Sequence, residues 1–192
     1  MRVLVACEFS GIVRDAFSVR GHDAWSCDLL PTESAGNHIE GDVLDVLADG
    51  WDLMVAHPPC TYLTNAANKW LYVDSGQSTV AERLKRRDDA IMFFQKLQSA
   101  PVQKIAIENP QPHPYVIEKV GKFHDKVQPW QFGDPETKGI CLWLKNLPPL
   151  ISTLIETTRT DVKHRLPPGP ERAKLRSKFF KGVAHAMADQ WG

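Results

Sequence analysis

Short strand-forming runs recur along the chain at intervals that leave room for a helix between most of them: "RVLVA" (2–6), "DAWSC" (23–27), "HIEGD" (38–42), "WDLMVA" (51–56) and "KIAI" (104–107). Runs that are apolar at consecutive positions, as in the first and the last two, suit strands buried on both faces rather than one. Such strands need helices on each side. "GIVRDAFSVRG" supplies one, with Ile12, Val13, Ala16 and Phe17 on one helical face and Gly21 as its stop. Leu84, Ile91, Phe94 and Leu97 recur between charged residues and predict a long helix over 79–97. "GICLWL" (139–144) reads as a further strand, and "KFFKGVAHAMADQW" (178–191) as a closing helix with Phe180, Val183, Ala184, Met187 and Trp191 on one side. Strands alternating with helices pair in parallel through right-handed crossovers. The expected class is therefore α/β, a doubly wound, mostly parallel sheet with helices on both faces.

A chain of 192 residues, 43% of them hydrophobic, can bury one core of useful size. A single domain over 1–192 is expected, with a loop-rich stretch at 145–170 marked by "NLPPL" and "RLPPGP", and the closing helix within 171–192. Lys plus Arg equals Asp plus Glu at 23 each, so any contact with nucleic acid must come from a local patch. One basic segment exists. Arg159, Lys163, His164, Arg165, Arg172, Lys174, Arg176, Lys178 and Lys181 stand against Asp161 and Glu171; they form either a phosphate grip or an ordinary solvated face. Cys7, Cys27, Cys60 and Cys141 include no C-x-x-C pair, which points to reduced thiols in a cytoplasm rather than a disulfide or zinc framework. No apolar run reaches the roughly 20 residues that cross a bilayer. A cytoplasmic protein with no membrane partner and no metal is the expectation.

Ligands of such sheets bind beyond the carboxyl ends of the strands. The five runs there deliver "EFSG", Asp28, Asp42, "HPPC" and "ENP" in turn. Gly11 at the first turn lets a ligand approach a helix start, and an acid closing the second strand suits ribose hydroxyls. With one glycine instead of the three of G-x-G-x-x-G, a nucleoside without a diphosphate fits better than NAD or FAD. Asp42 either meets an adenine amino group or caps a helix over 43–48. Two prolines before Cys60 fix the backbone and present the thiol at the rim. A lone cysteine is commonly a small buried hydrophobe; at a strand end it is also a nucleophile, needing only a modest fall in pKa. His57 either assists that fall or is simply a satisfied histidine of the rim. A deaminase-type zinc site would need P-C-x-x-C, and the sequence reads "PCTYL".

In this order and spacing the motifs resemble those of the DNA cytosine 5-methyltransferases: Phe9-Ser10-Gly11 at the first turn, Asp28 after strand two, Asp42 after strand three, Pro59-Cys60 after strand four and Glu108-Asn109 after strand five. More narrowly, the chain resembles the short phage- and prophage-encoded cytosine methyltransferase-like proteins that lack a target-recognition domain, through "QPWQFGDPETKGICLWLKNLPPL" and "MADQWG". The resemblance implies a Rossmann-like methyltransferase fold with S-adenosylmethionine as cofactor, held by Phe9, Ser10, Gly11, Asp28, Leu29, Asp42 and Pro58. It implies that Cys60 attacks carbon 6 of a cytosine, supported by Pro59, Glu108 and Asn109, with Glu108 at ring nitrogen 3. His57, Thr61, Trp70 and Lys138 would contact the substrate, and Trp70 or Tyr72 in the loop over 61–77 would stack on a flipped base.

The sequence also departs from the family. Val13 replaces a further glycine, "PETKGI" offers Lys138 in place of an arginine fork, and "FKGVAHAM" only echoes the family's last cofactor motif. About 30 residues stand where a recognition domain would be, too few for an independent domain. The implied partner is DNA read with little sequence specificity. A free pyrimidine nucleotide stays open as substrate, as do methylation of an exocyclic amino group and an inactive binding or anti-restriction module on the same fold.

Overall fold

A computed structural model describes residues 1–65, 78–167, 169 and 171–192. Its described strands form one seven-stranded sheet in the order β3-β2-β1-β4-β5-β7-β6. They are β1 (Arg2–Ala6), β2 (Asp23–Asp28), β3 (His38–Glu40), β4 (Leu53–Ala56), β5 (Lys104–Asn109), β6 (Asp125–Val127) and β7 (Ile140–Lys145). The first five pair in parallel, with Val3 opposite both Ala24 and Leu53, and Leu53 opposite Lys104. β7 runs antiparallel to β5 on one side and to β6 on the other. This is the doubly wound α/β architecture expected. The strand order reverses between β1 and β4, which opens a crevice beyond their carboxyl ends.

Helices cover both faces. α1 (Ile12–Ser18) and, at the other end of the sequence, α6 (Lys181–Trp191) bury Val13, Ala16, Phe17, Val183, Ala184, Met187 and Trp191 against Val3, Val5, Leu53 and Val55. α2 (Val80–Gln98) and α3 (Pro114–Val120) bury Ile91, Phe94, Leu97, Val116 and Val120 against Leu4, Met54, Ile105 and Trp143. Each large side chain removed from water in this way contributes about 1.5–3 kcal/mol. α2 begins where the sequence expects it: the Thr79 hydroxyl accepts from the Glu82 amide, and Glu82 returns the bond to the Thr79 amide. The Arg87 guanidinium lies 3.9 Å from the Tyr115 ring centroid and ties α2 to α3.

Three details differ from the sequence reading. The helix expected over 43–48 is a single 3-10 turn, Val43–Asp45. The closing segment divides into α5 (Arg172–Ser177) and α6 around an extended Lys178–Phe180, and a short α4 (Val162–Arg165) interrupts the loop-rich stretch. α3 and β6 were not expected at all. Among the described residues no helix is long and apolar enough to cross a membrane.

Candidate functional site

The carboxyl end of β1 is held by a buried acid. Glu8 is 4% exposed, and its carboxylate accepts from the Val13 amide (2.7 Å), the Arg14 amide (3.1 Å) and the Ser10 hydroxyl (3.2 Å). It thereby satisfies two amides of the first turn of α1 and sits where the helix dipole favours negative charge. Those amides are consequently engaged, and a diphosphate would have to displace Glu8 to reach them. Gly11 adopts φ 74°, and a Cβ there would collide with the Ser34 hydroxyl and the Arg14 guanidinium.

Arg14, fully buried, pins the loop after β2: its guanidinium donates to Asp15, Ser26, Thr32, the Ser34 hydroxyl and carbonyl, and the Ala35 carbonyl. Phe9 is buried beneath Lys174, whose Nζ stands 5.6 Å from the ring centroid. Asp28 closes β2, and its Oδ1 accepts from the Leu30 amide at 2.9 Å. Leu29 beside it is 74% exposed. Asp42 accepts from the Leu44 amide at 3.0 Å, so of its two readings the cap is the one seen.

Asp28 and Asp42 converge on Cys7. Burial pushes the Cys7 thiol far up, and the two aspartates and Cys27 push it further. Cys27 is raised to about 11 by burial and then by Asp28, Asp42 and Asp45. Cys7 has φ 59°, an uncommon conformation for a residue with a side chain. The β1–β3 edge therefore presents acids around a narrow turn, a donor set that suits a nucleoside carrying positive charge and that a diphosphate would be repelled from.

On the other side of the crevice, the His57 amide donates to the Ala6 carbonyl at 2.9 Å and extends the β1–β4 pairing by one bond. Pro58 is buried, Pro59 and Thr61 are exposed, and Cys60 is half-buried. Burial pushes the Cys60 thiol up; Lys138 draws it down, Glu108 pushes it up, and Arg176 draws it down. His57 Nδ1 lies 3.4 Å from Glu108 Oε2. Asn109, 1% exposed, has no hydrogen-bond partner among the described residues at either amide atom. Cys60, in the loop after β4, thus has Glu108 of the neighbouring strand β5, Lys138 and Arg176 in electrostatic reach. Trp70, Tyr72 and most of the loop over 61–77 lie outside the described residues; Tyr62 accepts from Arg86 at 3.2 Å.

The basic segment has much of its charge engaged within the chain. Lys174 and Lys178 both pair with Glu33, at 3.0 and 2.6 Å. Arg165 pairs with Asp161 at 2.8 Å, the Arg159 guanidinium lies 3.9 Å from the Trp130 ring centroid, and Arg172 donates to the Leu166 carbonyl at 2.7 Å. The side chains of Lys163 and His164 lie outside those described. Lys174 thereby ties α5 to Glu33 in the loop after β2, and just beyond α5 the Phe179 ring packs 4.5 Å from the His57 ring. Glu8, Arg14, Glu33, Arg176 and Phe179 were not singled out as rim residues by the sequence reading, although the acid beside "FSG" was a usable signal for Glu8. Among the described residues no group of three His, Cys, Asp or Glu side chains is arranged to hold a metal ion.

No family model matches this sequence, and no curated protein matches it. Among solved structures, the fold is similar to one provisionally assigned as a DNA modification methyltransferase encoded within a prophage (E. coli). That chain is 14% identical with a TM-score of 0.50; the likeness covers 85% of this chain and 53% of the other, so this chain spans about half its length. A methyltransferase from Entamoeba histolytica is 12% identical over 88% of this chain and 60% of the other, with a TM-score of 0.49. At such identity what is shared is the fold, an α/β Rossmann-like fold of the methyltransferase type.

Proposed function

We propose that the chain is an S-adenosylmethionine-dependent methyltransferase acting at carbon 5 of cytosine in DNA, through a covalent adduct on Cys60. The observation that carries this reading is that Cys60, in the loop that follows β4, lies within electrostatic reach of Glu108 near the end of the neighbouring strand β5, beside the switch in strand order. The prophage protein of similar fold, provisionally assigned to DNA modification, supports DNA as the substrate. Between β7 and α6 the chain holds loops and the two short helices α4 and α5, so we read 1–192 as one domain with low sequence specificity.

Phe9, Ser10, Gly11, Asp28, Leu29, Asp42 and Pro58 would hold the cofactor, which supplies an electrophilic methyl group when bound. The acids around Cys7 fit its positive charge, and the α1 amides engaged by Glu8 fit its lack of a diphosphate. Cys60 loses its proton to water and bonds as the thiolate to ring carbon 6, Lys138 and Arg176 favouring the charged sulfur. Glu108 protonates ring nitrogen 3, leaving carbon 5 electron-rich. Once carbon 5 is methylated, water takes the carbon 5 proton, the ring is restored, and Cys60 leaves as the thiolate. Pro59 and Asn109 would support the two reacting side chains, and Thr61, Trp70 and Lys138 would contact the substrate.

The test is a 5-fluorocytosine oligonucleotide with the cofactor, which has no proton to lose after methylation and so traps the adduct. Mass spectrometry should find the added mass on the peptide containing "AHPPCTYL", and Cys60→Ser should remove both adduct and turnover. A Cys60→Ser chain that still methylates DNA would sink the covalent route. Transfer to dCMP but not to DNA would move the substrate to the free nucleotide.

A further inference from the structure

The chemistry above leaves one buried ring unused. The His57 side chain is 9% exposed and that of Glu108 12%, and they meet at 3.4 Å through Nδ1 and Oε2. The opposite face of the environment is apolar: the Phe179 ring centroid lies 4.5 Å from that of His57, the planes inclined at 51°. Nε2 is buried and has no hydrogen-bond partner among the described residues. A polar nitrogen buried without a partner loses its bonds to water and gains nothing in return. A ring whose only task was to fill space there would be better replaced by an apolar one. His57 is the last residue on the extended line of β4, and Glu108 is on β5, so adjacent parallel strands fix both backbones before either side chain is placed.

We infer that His57 is a positioning residue for Glu108: it donates Nδ1–H to Oε2, fixes the plane of the carboxyl group, and stabilises the carboxylate left once Glu108 has given up its proton. The identity of the proton's acceptor rests on the methyltransferase reading; the pairing itself does not. In that reading the Cys60 sulfur forms a bond to carbon 6, and the 5,6 electron pair moves into the bond between carbons 4 and 5. The pair of the double bond between carbon 4 and nitrogen 3 moves onto nitrogen 3, which takes the proton of Glu108. When the thiolate leaves, the flow reverses, and nitrogen 3 returns that proton to Glu108. No oxidant or further reactant is required. The imidazole acts in this role only as a hydrogen-bond donor, and Phe179 packs against its ring. Among the described residues, the charged or titratable groups in electrostatic reach of Cys60 or Glu108 include Lys138 ahead of β7, Arg176 on α5 and Cys141 on β7, with Cys60 itself on the same loop as His57.

The first test needs neither cofactor nor DNA. Nitrogen-15 NMR of the histidine rings in the intact chain should show His57 as the Nδ1-protonated tautomer, with its shifts moving in Glu108→Ala. An Nε2-protonated ring indifferent to Glu108→Ala overturns the inference. In the trapping assay, His57→Phe should slow adduct formation about 10-fold, a fraction of the effect of losing a general acid, and displace the pH profile. His57→Asn, whose amide can donate from nearly the same place, should recover most of the rate. A His57→Phe chain with wild-type rate and pH profile also overturns it. Should His57→Phe fail to fold, the NMR comparison and His57→Asn still decide. An Nδ1-protonated ring coupled to Glu108 in a wild-type chain that forms no adduct keeps the pair and overturns the covalent chemistry. An adduct formed without that coupling does the reverse.

Discussion

On the β1–β3 side of the rim, Glu8 accepts three hydrogen bonds and the buried Arg14 donates to a ring of hydroxyls and carbonyls. On the β4–β5 side, His57 Nε2 and both amide atoms of Asn109 are buried with no hydrogen-bond partner among the described residues, and the Cys60 thiol is pushed up by burial. The same sheet carries both edges, so the contrast does not come from the scaffold. One edge has its polar groups matched within the chain; the other retains groups that cost about 1–3 kcal/mol each to bury unmatched. Such costs persist where the surroundings impose them, and they collect where chemistry is done.

That contrast can be broken by substitution. On the matched edge, Arg14→Met should strip donors from several buried acceptors at once and destabilise the fold by about 3 kcal/mol, read from urea denaturation. A loss under about 1 kcal/mol would show that water replaces the guanidinium and that this edge is not sealed. On the unmatched edge the largest effect should be on rate. Glu108→Gln should cut methyl transfer about 100-fold, near 2.7 kcal/mol, with cofactor binding by calorimetry unchanged. Asn109→Leu sharpens the comparison further, since removing both orphaned atoms should leave stability unchanged or raise it by up to about 1 kcal/mol while activity falls. A marked destabilisation would mean that the Asn109 amide is matched after all.

The smallest expected effect concerns pH. Because burial raises the Cys60 pKa, its alkylation by iodoacetamide should be slow at pH 7 and should climb only at pH values above those of an ordinary thiol. Lys138 lowers that pKa, so Lys138→Met should move the climb to still higher pH and slow labelling a few-fold at fixed pH. A midpoint below the ordinary thiol range would reverse the sign assigned to the site.

The strands and α2 were legible because consecutive or periodic apolar residues have few other uses in a chain of this kind. β6, three residues long, has no such signal; it exists because β7 offers it an edge. α3 was hidden by the prolines around it, although Pro114 in the first turn and the His113 side chain accepting from the Tyr115 amide are ordinary helix starts. The antiparallel direction of β7 could not be read, since "ICLWLK" is equally apolar in either direction. At the rim, residues at strand ends could be placed because a parallel sheet brings those ends together. Their partners could not. The bonds from Arg14 to Ser34 and from Lys174 and Lys178 to Glu33, and the packing of Phe179 on His57, depend on the paths of loops, which carry no periodicity to read.

Phe179 reaches His57 from a position two residues ahead of α6, and the start of α6 is itself tightly fitted. The Gly182 amide donates to Asp134 Oδ2 at 2.7 Å, and a Cβ at Gly182 would run into the Phe132 carbonyl. Val183, Ala184, Met187 and Trp191 then lie buried in the core that α1 shares. The clamp on His57 therefore belongs to the same cooperative unit as the last helix, and the two should open together. In native-state hydrogen exchange, the amides of α6 and of the "HPPC" turn should report a common opening free energy, well above that of the loops between them. The lifetime of an assembled rim is then set by how often a helix on one face of the sheet lets go, not by the motion of the rim itself.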